Sequence, residues 1–346
     1  MEPRKILVLR FSSLGDIIMT TAAVRALRKR FPTARIDMIV RGDFLDLIRL
    51  NPHLTNKWGL TRGAGWRGLK RLLRDINAED YDVVYDAHRS LRTRLLMPLI
   101  RARKKFYFKK HYVRRALALT FKLPLLDEKR FLERFVEPLA PLGVQYDHQG
   151  PEMRVDDGSE ASALAKAGLV LDGTPWIGLI PSAQWPGKRW PESGFAEVAQ
   201  RLVKSTPCRI VIFGGPQDTF CQTIEKALPA DRVSNTQGKL SILESAALVR
   251  LCKFTIANDT GLMHVGDALG IPSVLIFGPT SAELGCLPHQ PQTRIVENQL
   301  WCRPCSKNGQ APCIRSQRFC LTRTTPTRVY DEAMRLAGQL LNLTPC

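Results

Sequence analysis

Short apolar runs of strand length alternate along this chain with stretches in which apolar residues recur at helical spacing, the rhythm of βα units that feed a parallel sheet. In the first half the pattern predicts strands near Ile6–Arg10, Ile36–Val40 and Asp82–Asp86, with helices near Ile17–Arg30, Trp66–Ile76 and His111–Phe121. The rhythm then restarts. Strands are expected near Trp176–Ile180, Arg209–Phe213, Phe254–Ala257 and Ser273–Phe277, alternating with helices near Glu192–Lys204, Ile242–Leu251 and Leu262–Leu269. Between the halves, Pro151–Thr174 carries turn residues in Asp156-Asp-Gly-Ser159 and Leu171-Asp-Gly-Thr-Pro175 around one short helical stretch, as a linker would. A last periodic segment, Pro326–Leu343, opens on Thr325-Pro326 and places Val329, Met334, Leu336, Leu340 and Leu341 at helical spacing, a terminal helix that could cross back to the first domain. The expected fold class is therefore α/β: two doubly wound, Rossmann-like domains over residues 1–160 and 175–325, with residues 326–346 as the closing helix. Sheets of this kind bind ligands at the carboxyl ends of their strands, so a cleft between two of them is where a site is expected.

Composition agrees with two domains. The 346 residues are 44% hydrophobic and 24% charged, and a domain takes roughly 150 residues. The start, Lys5-Ile-Leu-Val-Leu-Arg10, meets Arg10 and then Asp16 too soon to be a signal peptide, and no run reaches the ~18 apolar residues of a membrane span. A cytoplasmic location is expected, and its nine cysteines are expected as reduced thiols or metal ligands.

Net charge is +19 and unevenly placed: the stretch from Ala87 to Lys122 holds twelve basic residues and no acidic one. Such a field either attracts a polyanion (nucleic acid, anionic lipid or a phosphorylated substrate) or forms a solvated face. A single-stranded nucleic-acid platform interleaves basic and aromatic side chains, and only Phe106, Tyr107, Phe108 and Tyr112 approximate that, so no nucleic-acid partner is expected.

Candidate chemistry sits where strands give way to helices. Phe11-Ser-Ser-Leu-Gly-Asp16 follows the first strand, and its small residues and free helix-start amides suit an anion. It has one glycine, so the three-glycine dinucleotide fingerprint is absent. Ser13 and Asp16 have two readings: helix caps, or, for Asp16, a base for an attacking hydroxyl. Pro181-Ser-Ala-Gln-Trp-Pro-Gly-Lys-Arg-Trp-Pro191 can offer Ser182, Gln184 and Lys188 to a phosphate while its tryptophans brace the loop, or it is an ordinary surface loop. In Asn258-Asp-Thr-Gly-Leu-Met-His264, Thr260 and Gly261 present amides at the positive end of a helix. Asp259 suits sugar hydroxyls, and His264 lies one turn along from Thr260. Phe277-Gly-Pro-Thr-Ser281 and Gly214-Gly-Pro-Gln-Asp218 add two more glycine-bearing loops on the same expected sheet edge. Finally, Cys302, Cys305, Cys313 and Cys320 form a C-x2-C-x7-C-x6-C array, either a structural zinc or iron site or four reduced, packed thiols.

Taken together, the strand-Ser-Ser-Leu-Gly-Asp opening, Lys188-Arg-Trp-Pro191, and Asn258–His264 with Phe277-Gly-Pro-Thr280 resemble glycosyltransferase family 9, the ADP-heptose:lipopolysaccharide heptosyltransferases, from about residue 4 to 325. The basic stretch of the first domain does not match by motif. The resemblance implies a GT-B fold and inverting transfer of L-glycero-D-manno-heptose from ADP-heptose to an anionic lipopolysaccharide inner-core precursor, without a catalytic cofactor. It implies Asp16 as general base, and Lys188, Thr260 and Gly261 on the diphosphate. Asp259 and His264 would contact the heptose and Leu240 the adenine, with Gln217, followed by Asp218, near the ribose. A substrate rich in phosphate and acidic sugar would suit the basic stretch, which implies peripheral docking on the cytoplasmic face of the inner membrane.

Overall fold

The computed structural model describes residues 2–123, 125, 130–284 and 286–341. It divides into two compact units, Met1–Tyr112 with Lys129–Arg154, and Val113–Glu128 with Val155–Cys346.

The first unit runs β1 (Lys5–Leu9), α1 (Leu14–Arg30), β2 (Arg35–Arg41), β3 (Asn56–Leu60), α2 (Gly65–Ala78), β4 (Tyr81–Asp86), α3 (Leu91–Leu96) and β5 (Ala102–Tyr107). Next come α4 (Tyr112–Phe121), which leaves this unit at its first residue, and α5 (Phe131–Val136), which returns to it. All five strands are parallel, in the order β3-β2-β1-β4-β5. The central strand β1 is fully buried over Ile6–Leu9, which is why it is an unbroken apolar run and not an alternating one. Leu7, Leu9 and Phe11 join Leu72 and Ile76 of α2 and Leu96 of α3 in one core layer. Helix α1 buries twelve of its seventeen residues, including the charged Arg25. That guanidinium holds Asp147 at 2.8 Å and Glu152 at 3.2 Å, fastening the segment after α5 onto α1.

The second unit contains α6 (Asp157–Ala167), β6 (Trp176–Ile180), α7 (Glu192–Ser205), β7 (Arg209–Ile212), α8 (Cys221–Lys226), β8 (Val233–Asn235) and α9 (Ile242–Leu251). It continues with β9 (Cys252–Asn258), α10 (Gly261–Ala268), β10 (Ser273–Ile276), β11 (Arg294–Val296), α11 (Phe319–Thr322) and α12 (Pro326–Leu340). The sheet is again parallel, in the order β11-β10-β9-β6-β7-β8. Strand periodicity sends Ile177, Leu179, Ile210 and Ile212 to one core with Phe195 of α7 and Val329 of α12. Trp176, Ile180, Val211 and Phe213 go to the other, with Ala163 of α6 and Leu248 of α9. The segment expected as a linker thus contains α6, whose Lys166 and Ser162 both reach Glu244 of α9 at 2.6 Å. The terminal helix α12 packs on α7 within this unit.

Every predicted strand is present. The four strands that the hydrophobic pattern did not predict, β3, β5, β8 and β11, are the edges of the two sheets. An edge strand is half covered and avoids a long apolar run, and β5, Ala-Arg-Lys-Lys-Phe-Tyr, shows how charge protects such an edge.

Replacing the buried Arg25 by Met leaves Asp147 with Lys29 and Glu152 with His53 but removes the charged donor they share, and should lower unfolding stability at neutral pH by about 2 kcal/mol in denaturant titrations. Although partial burial alone would raise it, hydrogen bonds from Arg25 and Lys29 hold the Asp147 carboxyl below its ordinary range. The stability linked to that depressed carboxyl is complete above the unfolded value of about 3.9 and disappears as pH falls. The gap between variant and wild type should therefore narrow in acid.

Candidate active site

In each sheet the strand order reverses once: between β1 and β4 in the first, and between β6 and β9 in the second. Adjacent connections diverge there, leaving a crevice at the carboxyl ends that loops rather than helices must line. The predicted site residues fall largely at these two points.

In the first unit, β1 ends and the chain turns into α1 through Ser13, its N-cap. Asp16 does cap the helix: its Oδ2 accepts from the Ser13 amide at 3.3 Å and from the Ser13 hydroxyl at 2.8 Å. The same oxygen meets the Arg10 guanidinium at 2.5 Å. Burial alone would raise the Asp16 carboxyl, but Arg10 and the two Ser13 donors override it and hold it at about 2. None of these contacts uses Oδ1, so the cap and the base are compatible roles of the two oxygens of one carboxylate.

Two residues that the sequence did not flag complete this cluster. Arg10, itself buried, also donates to the Ala87 carbonyl at 2.5 Å and lies over the Phe135 ring. His88, just after β4, accepts from the Phe11 amide through Nδ1 at 3.0 Å. Burial first, then the charges of Arg10 and Lys110, push its imidazole down to about 3, so it is neutral with its hydrogen on Nε2, a donor. The buried Asp86 shapes the turn that carries His88 by accepting from the amides of His88 and Arg89. The available signal was an Asp-x-His at the end of a strand, legible only once β1 and β4 are known to be neighbours.

In the second unit, Lys188 closes the short 3-10 turn Pro186–Lys188 after β6, and Asp259 follows β9. The Lys188 Nζ lies 2.5 Å from Asp259 Oδ2, and the Thr280 hydroxyl donates to the same oxygen at 2.8 Å. Burial would raise the Asp259 carboxyl, but Lys188, His264 and Thr280 bring it below its ordinary value. His264 Nε2 stands 4.0 Å from the other oxygen, Oδ1. Thr260 is the N-cap of α10 and Gly261 its first residue, so their amides stand at the positive helix end beside this cluster. The buried Asn258 ties the two loops together, donating to Pro181 O at 2.7 Å and accepting from the Trp190 amide at 3.1 Å. Trp190 is the aromatic that braces the loop, its indole N–H bonded to Thr324 O at 2.9 Å.

The remaining predicted residues are more loosely placed. Ser182 reaches the Phe213 carbonyl at 3.5 Å, and Gln184 is exposed. Gln217 is exposed at a loop tip, whereas Asp218 accepts from the Gly215 amide at 2.8 Å and pairs with Arg189 at 3.4 Å. Leu240 is half-buried against the α6–α9 side of the core.

The cysteine array, read either as a structural metal site or as four reduced thiols, folds into one neighbourhood. Cys302, Cys305 and Cys313 lie near enough to raise the Cys320 thiol, and burial raises it more, to about 11. Yet the Cys305 thiol points to Pro279 O and the Cys313 thiol to Gln317 O, at 3.8 and 3.5 Å. Among the described residues no group of three or more His, Cys, Asp or Glu side chains is arranged to hold a metal ion.

A model of glycosyltransferase family 9 (heptosyltransferase) matches residues 69–312. The chain belongs to this family. It is 26% identical to lipopolysaccharide heptosyltransferase 1 of Pseudomonas aeruginosa, over 97% of this chain and 99% of that one. A crystal structure of a family 9 glycosyl transferase from Veillonella parvula superimposes with a TM-score of 0.82 at 24% identity, covering 99% of both chains. The E. coli ADP-heptose lps heptosyltransferase II does so with a TM-score of 0.76 at 24% identity, over 97% of this chain and 99% of that one. The fold is the GT-B class, and the protein is a glycosyltransferase.

Arg10→Met should release Asp16 from its cationic partner. A carboxyl titration followed by NMR is expected to move from about 2 to the ordinary value of about 4 or above. An unchanged inflection would mean that Arg10 does not set the charge of this site.

Proposed function

We propose that this family 9 glycosyltransferase moves L-glycero-D-manno-heptose from ADP-heptose to a hydroxyl of a lipopolysaccharide inner-core acceptor, with inversion at the anomeric carbon. The observation that carries the reading is the pairing of one ionised carboxylate with one cation at each sheet's reversal point, Asp16 with Arg10 and Asp259 with Lys188.

Asp16 Oδ1 takes the proton of the acceptor hydroxyl as its oxygen bonds to the anomeric carbon, and the bond from that carbon to the diphosphate oxygen breaks. Arg10 keeps Asp16 ionised throughout the working range at some cost in basicity, and a positioned base contributes typically 10²–10⁴-fold. The departing ADP carries its electron pair as phosphate charge, which needs a cation and helix-end amides rather than a proton. Lys188, Thr260 and Gly261 supply these. When the diphosphate draws Lys188 away, Asp259 regains an oxygen for the heptose hydroxyls, with His264 beside it. Ser13 orients Asp16, Ser182 and Gln184 line the donor loop, Leu240 offers an apolar wall to the adenine, and Gln217 or its neighbour Asp218 takes the ribose.

The enzyme works, on this reading, at the cytoplasmic face of the membrane that carries its acceptor. No helix among the described residues is long and apolar enough to cross a bilayer. The first unit nonetheless exposes Trp66, Leu91, Leu95 and Leu99, several of them around a groove of about 260 Å³ that Arg92 also lines. Apolar side chains beside basic ones suit an anionic lipid surface.

Asp16→Asn should reduce transfer from ADP-heptose to a truncated lipopolysaccharide by at least about 100-fold while ADP affinity stays near that of the wild type. Retained turnover would leave Asp16 with its capping role alone. If the protein consumes a UDP- or GDP-sugar and ignores ADP-heptose, the donor assignment is wrong.

Vesicles rich in anionic lipid should sediment the protein at low salt and release it at high salt. Leu91→Asp with Leu95→Asp should weaken that binding while sparing ADP binding; equal sedimentation of the variant would remove this face from the docking model.

A further inference from the structure

The segment around Cys305 lies against two of the partners of Asp259, Lys188 and Thr280. Gly309, at φ +82°, packs on the stem of Lys188: a Cβ there would overlap Lys188 Cγ, stand 2.9 Å from its Cδ and 3.6 Å from the Trp185 Cβ. A Cβ on Gly187, next to Lys188, would in turn overlap the Gly309 carbonyl oxygen. The turn is held from within by the buried Ser306, whose hydroxyl oxygen accepts from the Gly309 amide at 2.9 Å and the Ala311 amide at 3.3 Å.

The other end of the segment grips the loop that carries Thr280. Arg303 donates to Gly278 O and Thr280 O, both at 2.6 Å, and is anchored by Glu297 at 2.7 Å. The Cys305 amide donates to Pro279 O at 3.0 Å. Thr280 and Lys188 are the two groups that share Asp259 Oδ2.

We propose that residues 303–311 are a positioning strut for donor binding, with Gly309 setting the stem of Lys188 and Arg303 setting Thr280. The proposal rests on Lys188 as the diphosphate ligand. Lysine is a flexible four-carbon stem with a point charge, and where that charge ends up depends on what its methylenes pack against. Glycine at 309 serves two ends: it adopts the left-handed backbone without strain, and it leaves the room that the lysine stem fills.

The test separates contact from strain. Gly173 has nearly the same φ, +84°, but nothing within 4 Å of an added Cβ. Gly309→Ala and Gly173→Ala therefore both place a side chain at a positive φ of the same size, and only the first displaces Lys188. Gly309→Ala should raise the Kd for ADP and the KM for ADP-heptose about tenfold, the scale of a displaced positioning group, with acceptor KM unchanged and Tm close to that of Gly173→Ala. On a Lys188→Ala background the same substitution should cost no further affinity, because the group it positions is gone.

Equal ADP affinity in Gly309→Ala and Gly173→Ala overturns the strut, as does a full additional loss in the double variant. If Lys188→Ala itself leaves ADP affinity unchanged, the diphosphate assignment fails and the strut with it; if Lys188→Ala weakens binding and Gly309→Ala does not, only the strut fails. Should Gly309→Ala not fold, Ser306→Ala, which frees the turn without adding bulk, decides: weaker ADP binding supports the strut and wild-type binding removes it.

Discussion

Right-handed crossovers put the helices of strands added in one direction on one face of a sheet, so an open parallel sheet covered on both faces must reverse its strand order. In this protein that constraint acts twice, between β1 and β4 and between β6 and β9. At each reversal the two connections leave in opposite directions, so the carboxyl ends of the central strands stay open. Everything chemical in the molecule follows from what those openings hold: the Arg10, Ser13, Asp16 and His88 cluster in one, and Lys188, Asp259 and His264 in the other. Strands β1 and β6, which lead into the two openings, are buried along almost their whole length.

Both openings solve the same electrostatic problem. A carboxylate taken partly out of water needs a partner, and each has been given one cation and a hydroxyl donor. Burial pushes both carboxyls toward protonation, and the paired cation together with the neighbouring donors outweighs it, so each is ionised at neutral pH. The pairing differs in its reversibility. Arg10 is planar, buried and fixed from several sides, which makes it a permanent neighbour of Asp16. Lys188 holds Asp259 with one flexible arm, and a diphosphate can compete for it. The first site is thus preset, while in the proposed mechanism the second rearranges its charges when the donor arrives.

The cysteine-rich segment illustrates how a motif can draw attention to one kind of residue while others in it make the visible contacts. Its spacing suggests a metal. In the folded chain its backbone, arginine and glycine do the visible work, holding Thr280 and the stem of Lys188 against a shared carboxylate. A search for ligands among side chains finds the segment without finding its role, because a glycine that positions a lysine has no side chain to notice.

Sequence alone determined the βα rhythm, the central strands, the family and the residues with a local signal. A strand buried on both faces must be a continuous apolar run, and Ser13, Asp16, Asp259 and Thr260 sit at strand-to-helix junctions that can be read within a few residues. Tertiary structure decided what depends on neighbours distant in the chain. Edge strands such as β5 lack an apolar run because only half of each is covered. Arg10 reads as the end of a strand until Asp16 and Ala87 close around it, and His88 is a lone histidine until β4 lies beside β1. That Lys188, Asp259 and Thr280 share one oxygen, and that Gly309 shapes the lysine, could not be read from spacing. Those contacts join residues 21 to 121 positions apart, and only the packed sheet fixes which loops meet.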